Sequence, residues 1–202
     1  MAGLNSKMSA YKEPTVGLAS ARAIIEYFHH FNMDSAKLAS ELGVSETLLT
    51  EEDQRLPLSL YQKIWQLALD KSQIPDLGLR IAQEEGIEDL GLVAHVVYNS
   101  TTIGEGVKQY VRLFSVVNEA FELEFEEHNK QGQLKFINKY PNFYNISDME
   151  RTLAIAVNRT TKATGISNMV YEVHFQHSKP SYAKKYQELF NCKILFDQPC
   201  CE

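Results

Sequence analysis

From Gly17 to about Asn99, apolar residues recur every three to four positions, the spacing that lays one apolar stripe along a helix. Leu18, Ala21, Ile25 and Phe28 form one such stripe, and Leu60, Ile64, Leu67 and Ala68 form another after Pro57. Leu77 and Ile81, then Leu90, Ala94, Val97 and Tyr98, extend the pattern. In "TTIGEG", Thr102 and Glu105 have the spacing of a capping box, in which each side chain accepts a first-turn N–H from the other residue. A helix presenting Ile103, Val107, Tyr110, Val111 and Phe114 is expected to open there.

At Phe121 the period becomes two. "FELEFEE" alternates Phe121, Leu123 and Phe125 with glutamates, the signature of a half-buried strand. The polar turn "HNKQGQ" and then "LKFIN" predict a hairpin with Leu134 and Phe136 on the inner face. A second capping-box spacing, Ser147 to Glu150, predicts a helix that buries Met149, Leu153, Ala156, Val157 and Thr160 and ends at Gly165. A strand over 169–177, a helix over 181–190 and a strand over 192–197 follow. The fold class expected is α+β, with a helical N-terminal layer (17–118) followed by an antiparallel sheet with packed helices (119–202), behind a flexible tail at 1–16.

Composition adds little to this picture. The 202 residues suit one large domain or two small ones, and 44% hydrophobic with 23% charged is ordinary for a globular chain. No apolar run is long enough to span a membrane, and residues 1–16 lack a secretory or transit pattern, so a cytoplasmic location is expected. The net charge of −6 argues against a nucleic-acid footprint spread over the surface. Cys192, Cys200 and Cys201 have no CxxC spacing and are read as reduced thiols.

Candidate chemistry is sparse. His174 and His177 sit three apart on an expected strand, where side chains alternate faces, so they cannot share a metal. No metal site and no cofactor is expected. The acid pairs Glu51-Glu52, Glu84-Glu85 and Glu126-Glu127 read as solvated surface, and no motif of an enzyme family is present, so no catalytic residue is assigned. "AKLASELGVSETLL", residues 36 to 49, has the outline of a helix-turn-helix, with Gly43 at the corner and Ser45 capping a second helix. Glu46, Glu51, Glu52 and Asp53 would oppose DNA phosphates there, which favours a packed helical corner. Direct DNA binding through residues 35–50, and a small enzyme with an unrecognised site, stand as the alternative functions.

Taken in order, "LGVSETLL", "RLPLSLYQKIWQLA", "DLGLRIA", "GLVAHVVYNSTTIGEGVKQYVRLF" and "VHFQHSKPSYAKKYQELFNCKILFD" resemble the N-terminal regulatory domain of AraC/XylS-type bacterial transcription regulators, in the branch conventionally called arabinose-binding. The resemblance runs from about Gly17 to the end. It implies a domain that senses a small organic effector or a protein partner, that can form a homodimer, and that controls DNA binding by a C-terminal helix-turn-helix domain with no counterpart in these 202 residues. The effector's identity does not follow. A largely preformed apolar pocket of roughly 300 Å³ or more is expected between helices 89–99 and 103–118 and the sheet. Polar or aromatic residues in those stripes, His95, Tyr98, Tyr110, Phe114, Asn118 and His177, are the expected ligand contacts, and Gly91, Gly104 and Gly106 are expected to leave room near the helix starts.

Overall fold

Residues 13–85, 92–129 and 131–202 are described by the structure, a computed structural model. Two short strands, β1 (Thr15–Gly17) and β2 (Arg55–Pro57), pair antiparallel and run directly into helices α1 (Leu18–Tyr27) and α4 (Leu58–Ser72). Pro57 has no N–H to extend a ladder, and the chain turns into α4 at the next residue. Between them lie α2 (Ser35–Leu42) and α3 (Thr47–Thr50). Asp34 caps α2 by accepting the Lys37 N–H at 2.9 Å, and Gly43 closes it at φ +70°.

The expected second helix at this corner is a single turn. Ser45 does not cap it; its hydroxyl meets that of Thr47 at 3.0 Å. A four-residue helix is only about 6 Å long, and Leu38, Ala39 and Leu49 point from the corner into the core. No recognition helix is available here, which removes the reading of residues 35–50 as a DNA-binding helix-turn-helix.

Helices α5 (Leu77–Glu84), α6 (Leu92–Tyr98) and α7 (Ile103–Val117) come next. The expected helix start at 89, with Leu90 and Gly91, lies outside the described residues. Thr102 caps α7 as expected, accepting the Glu105 N–H at 3.2 Å, but the Glu105 carboxylate takes the Thr101 hydroxyl. Gly106 leaves no room for a ligand: a Cβ there would stand 3.1 Å from the Val97 carbonyl, so this glycine is where α6 and α7 approach closely.

The next helix, α8 (Ile146–Thr164), starts one residue before the expected cap, because Asn145 accepts the Asp148 N–H at 3.2 Å. It ends at Gly165, φ +69°. Met149, Leu153 and Val157 are buried as expected, while Ala154 and Ile155 are buried in place of Ala156 and Thr160. A Cβ on Gly78 would fall 1.9 Å from the Ser147 carbonyl oxygen, so α5 and α8 touch backbone to backbone.

Strands β3 (Phe121–His128) and β4 (Gln131–Asn138) form the expected antiparallel hairpin, with Leu123 opposite Phe136 and Phe125 opposite Leu134. The next pair departs from the expectation. Strands β5 (Glu172–His174) and β6 (Lys193–Leu195) run parallel, joined by α9 (Lys184–Phe190), since parallel neighbours need a crossover. The chain end stitches these ladders together. The Phe136 N–H donates to the Cys201 carbonyl at 2.8 Å, and Glu202 and His174 exchange backbone bonds at 2.8 and 3.2 Å.

The fold is α+β. Its buried apolar side chains fall into two clusters: one gathers α1, α2 and α4 around Trp65 and Tyr61, and the other gathers the hairpin, α7, α8 and α9 around Phe175 and Tyr186. Helix α5 serves both, giving Leu77 and Ile81 to the first and Leu79 and Ala82 to the second. Val173, Phe175 and His177 face the second cluster, but Tyr171, expected on that face, is 71% exposed because the strand starts only at Glu172. His174 lies on the other face and pairs with Glu172 and Glu202, at 2.9 and 2.7 Å.

Candidate functional site

Helical spacing places Asp148, Arg151, Thr152, Ile155 and Arg159 along one side of α8. That side faces a small pocket of about 40 Å³, lined also by Tyr61 of α4, Glu85 just past α5, and Tyr110, Phe114 and Asn118 around the C-terminal half of α7. Four charged side chains meet there. Arg151 Nε donates a short hydrogen bond to one Glu85 oxygen, and Arg159 Nη2 stands 3.9 Å from the other. Tyr61 donates to Asp148 Oδ1 at 2.5 Å.

Burial sets the protonation of this group. It pushes the Asp148 carboxyl up from the usual carboxylate range, against the Tyr61 hydrogen bond and the Arg151 cation that hold it down. Burial also raises the Tyr61 hydroxyl strongly and the Tyr110 hydroxyl to about 12, so both remain hydrogen-bond donors at neutral pH. For Arg151 burial works against the cation, but Glu85, Tyr61 and Asp148 together outweigh that effect. Burial lowers Arg159.

Glu85 corrects the sequence-based expectation. Its place beside Glu84 suggests solvated surface, yet Glu84 alone is exposed while Glu85 is 8% exposed and engages two arginines. The other two acid pairs are exposed. Of the six expected ligand contacts, Tyr110, Phe114 and Asn118 come together at this cavity. Asn118 also has a structural task, accepting the Ala120 N–H at 2.8 Å through its side chain. Tyr98 is half-buried and near enough to Tyr110 and Arg159 to enter their electrostatics, without lining the cavity. His95 is exposed on α6.

His177 lies elsewhere, among Phe175, Tyr186 and Phe196, with Nδ1 donating to the Ser178 carbonyl at 3.0 Å. Close by is Glu150, fully buried on the opposite side of α8. Its Oε1 accepts from Tyr182 at 2.7 Å and from Tyr186, while Oε2 has no partner. Burial pushes this carboxyl up to about 7, against the two tyrosine bonds that lower it. From its ordinary 4.5, the folded chain therefore holds the proton more tightly than the unfolded one. The stability this contributes, about 3 kcal/mol, is fully present below about 4.5 and is lost as pH rises through about 7. Glu150→Gln, which keeps the accepting oxygen and cannot ionise, is expected to lose much less stability between pH 5 and pH 8 than the parent chain does. Urea unfolding at the two pH values measures the difference, and equal losses in the two proteins would contradict it.

The expected preformed pocket of roughly 300 Å³ adjoins a helix start at 89 that lies outside the described residues, and the spaces lined by described residues are smaller. Besides the small pocket on α8 there is a groove of about 170 Å³ between α1 and α5, and neither space reaches that size. Packing explains the shortfall, since Phe114 is buried against Phe136 and its neighbour Tyr110, at 5.9 and 5.2 Å between ring centres. Among the described residues no group of three histidine, cysteine or acidic side chains could hold a metal.

With this geometry in place, comparison with known proteins decides the family. The model of the arabinose-binding domain of AraC transcription regulators, N-terminal, matches residues 33–202. The chain belongs to this family. The regulatory domain is 21% identical over 185 residues to the ornithine utilization regulator of Pseudomonas aeruginosa, covering 91% of this chain and 55% of the relative. It is 22% identical over 154 residues to the HTH-type transcriptional regulator VirS of Mycobacterium tuberculosis, covering 75% of this chain and 45% of the relative. The regulatory domain thus spans about half the length of the curated relatives it matches. Both relatives carry the names of transcription regulators, not of enzymes.

Proposed function

We propose that this regulatory domain senses a small-molecule effector at the cavity framed by α1, α4, α5, α7 and α8, and thereby controls DNA binding by a helix-turn-helix part of the full regulator. The observation that carries this reading is the cluster of Glu85, Asp148, Arg151 and Arg159 lining one small pocket. Burying ionised groups costs several kcal/mol each before pairing offsets it, and apolar side chains of similar volume would fill the space as well or better. Perturbed ionisable groups beside a cavity are a mark of functional sites.

A metabolite screen by thermal melting tests it. A compound that binds only the folded domain adds about 2.7 kcal/mol at a hundredfold excess over its Kd, which reads as a rise of several degrees. The small volume of this pocket favours one competing reading, in which the domain senses a protein partner. A full metabolite library without a single saturable rise in melting would establish that reading instead.

DNA contact belongs, on this proposal, to the rest of the regulator. Residues 1–202 alone should leave a promoter fragment unretarded, and salt-sensitive, sequence-selective retardation would refute this. Self-association forms part of the same proposal, supported by the exposed apolar side chains Val96, Ile103 and Val116 on α6 and α7. Sedimentation showing only monomer at high micromolar concentration would remove it. A cytoplasmic location goes with this role; no helix among the described residues is long and apolar enough to cross a membrane.

A further inference from the structure

We propose that Glu150, Tyr182 and Tyr186 form a pH-sensitive latch that docks α9 on α8, closed while Glu150 carries a proton and loosened when it ionises. The inference goes beyond effector sensing, because the proton acts at a cluster that shares no side chain with the pocket or the groove described above.

Geometry is the first reason. Glu150 projects from the first turns of α8 and is fully buried. One of its carboxyl oxygens accepts the hydroxyls of both Tyr182, at 2.7 Å, and Tyr186. The other oxygen has no partner. A buried oxygen left without a donor costs far more when it carries charge than when it is neutral. The packed arrangement therefore suits the protonated acid.

The surroundings are the second reason. Asp76 faces Glu150 from the start of α5, Tyr144 from just before α8, and Tyr182 and Tyr186 from the α9 side. His177, beyond β5, places Nε2 at 3.4 Å from the Tyr186 hydroxyl. Asp76 is itself paired with Arg80 at 3.1 Å, and Arg151, the next residue of α8, is bonded to Glu85. Burial weakens the hold of His177 on its proton, so this ring is neutral when Glu150 ionises. Nothing in this set supplies a compensating cation.

The charge must then be relieved by water, and α9 is the side that yields. Helix α8 has nineteen residues and touches α5 backbone to backbone at Gly78 and Ser147. Helix α9 has only seven and follows a turn over 181–183, in which Tyr182 is half-buried. A helix that short does not hold its hydrogen bonds once it leaves its partner.

Burial pushes the Glu150 carboxyl up to about 7 from its ordinary 4.5. The closed latch thus binds the proton more tightly than the open one. Closure is fully supported below about 4.5 and weakens as pH rises through about 7. Linkage between these two values makes opening about 70-fold easier at pH 8 than at pH 5.

Amide hydrogen exchange over pH 5 to 8, corrected for the intrinsic rate at each pH, tests the latch. The expected result is protection over 177–190 that falls by about 70-fold across the range, bending near pH 7. At pH 8 these amides should exchange faster than those of α4 and respond little to low urea, because a local opening exposes little surface. Glu150→Gln should flatten the profile. Tyr182→Phe removes a bond that favours the ionised form, so its profile should bend at higher pH than the parent's. A parent profile without pH dependence, or 177–190 exchanging only together with α4, would overturn the proposal. So would a Glu150→Gln profile like the parent's, or a Tyr182→Phe bend at or below the parent's pH. The parent's urea series and Tyr182→Phe decide the question even if Glu150→Gln fails to fold.

Discussion

Glu85→Ala is expected to lower the unfolding free energy by about 3–5 kcal/mol, the cost of leaving a buried ion without its partner. Arg151 is 6% exposed and donates its Nε–H to Glu85, so truncation strands a guanidinium beside a cavity that has just grown. Lys108 and Glu127 form an ion pair of similar chemistry at 3.2 Å, but both side chains are about half exposed. Glu127→Ala should therefore cost no more than about 1 kcal/mol. Replacing both members of the buried pair, Glu85→Leu with Arg151→Met, should recover most of the loss, because apolar side chains of like volume carry no desolvation cost. Urea denaturation of the four proteins measures all of this. If Glu85→Ala proves as mild as Glu127→Ala, the charged ring is solvated and the buried site does not exist.

Phe175→Ala should be equally costly, about 3–5 kcal/mol. Its ring is fully buried, edge-on to Tyr186 at 5.1 Å and Phe190 at 5.8 Å, and stacked on Phe196 at 5.9 Å. Those rings belong to α9 or adjoin β6, so they have little freedom to close over a void. Glu124→Ala, on the solvent face of β3, should stay within about ±0.5 kcal/mol. Comparable destabilisation by the two replacements would mean that the sheet faces are assigned wrongly.

Local chemistry made much of the fold legible in the sequence. Thr102 at the start of α7, Gly43 and Gly165 at helix ends, and the alternation from Phe121 to Phe125 all act within a few residues, and each does in the structure what its chemistry predicts. Strand direction was not legible in the same way. The segments around Val173 and Ile194 carry no mark of direction, and their parallel pairing follows from where α9 packs. The site was half legible for a different reason. Tyr110, Phe114 and Asn118 could be picked out because they interrupt or close an apolar stripe. Glu85, Asp148, Arg151 and Arg159 could not, because a buried ion pair and a solvated one have the same letters and spacing. What buries them is the approach of α5 to α8, which Gly78 permits by lacking a side chain. A glycine beside apolar residues in a helix is too common a signal to have announced it.

An effector acting through the charged cavity between α5, α7 and α8 should leave its mark on the backbone around that cavity. Amide hydrogen exchange, measured with and without a compound that raises melting, tests this most directly. The predicted result is slowed exchange concentrated in 81–85, 110–118 and 148–159, with the tip of the β3–β4 hairpin unchanged. Protection confined to the exposed surfaces of α2 and α3 or to that hairpin, with the α8 amides unaffected, would contradict it.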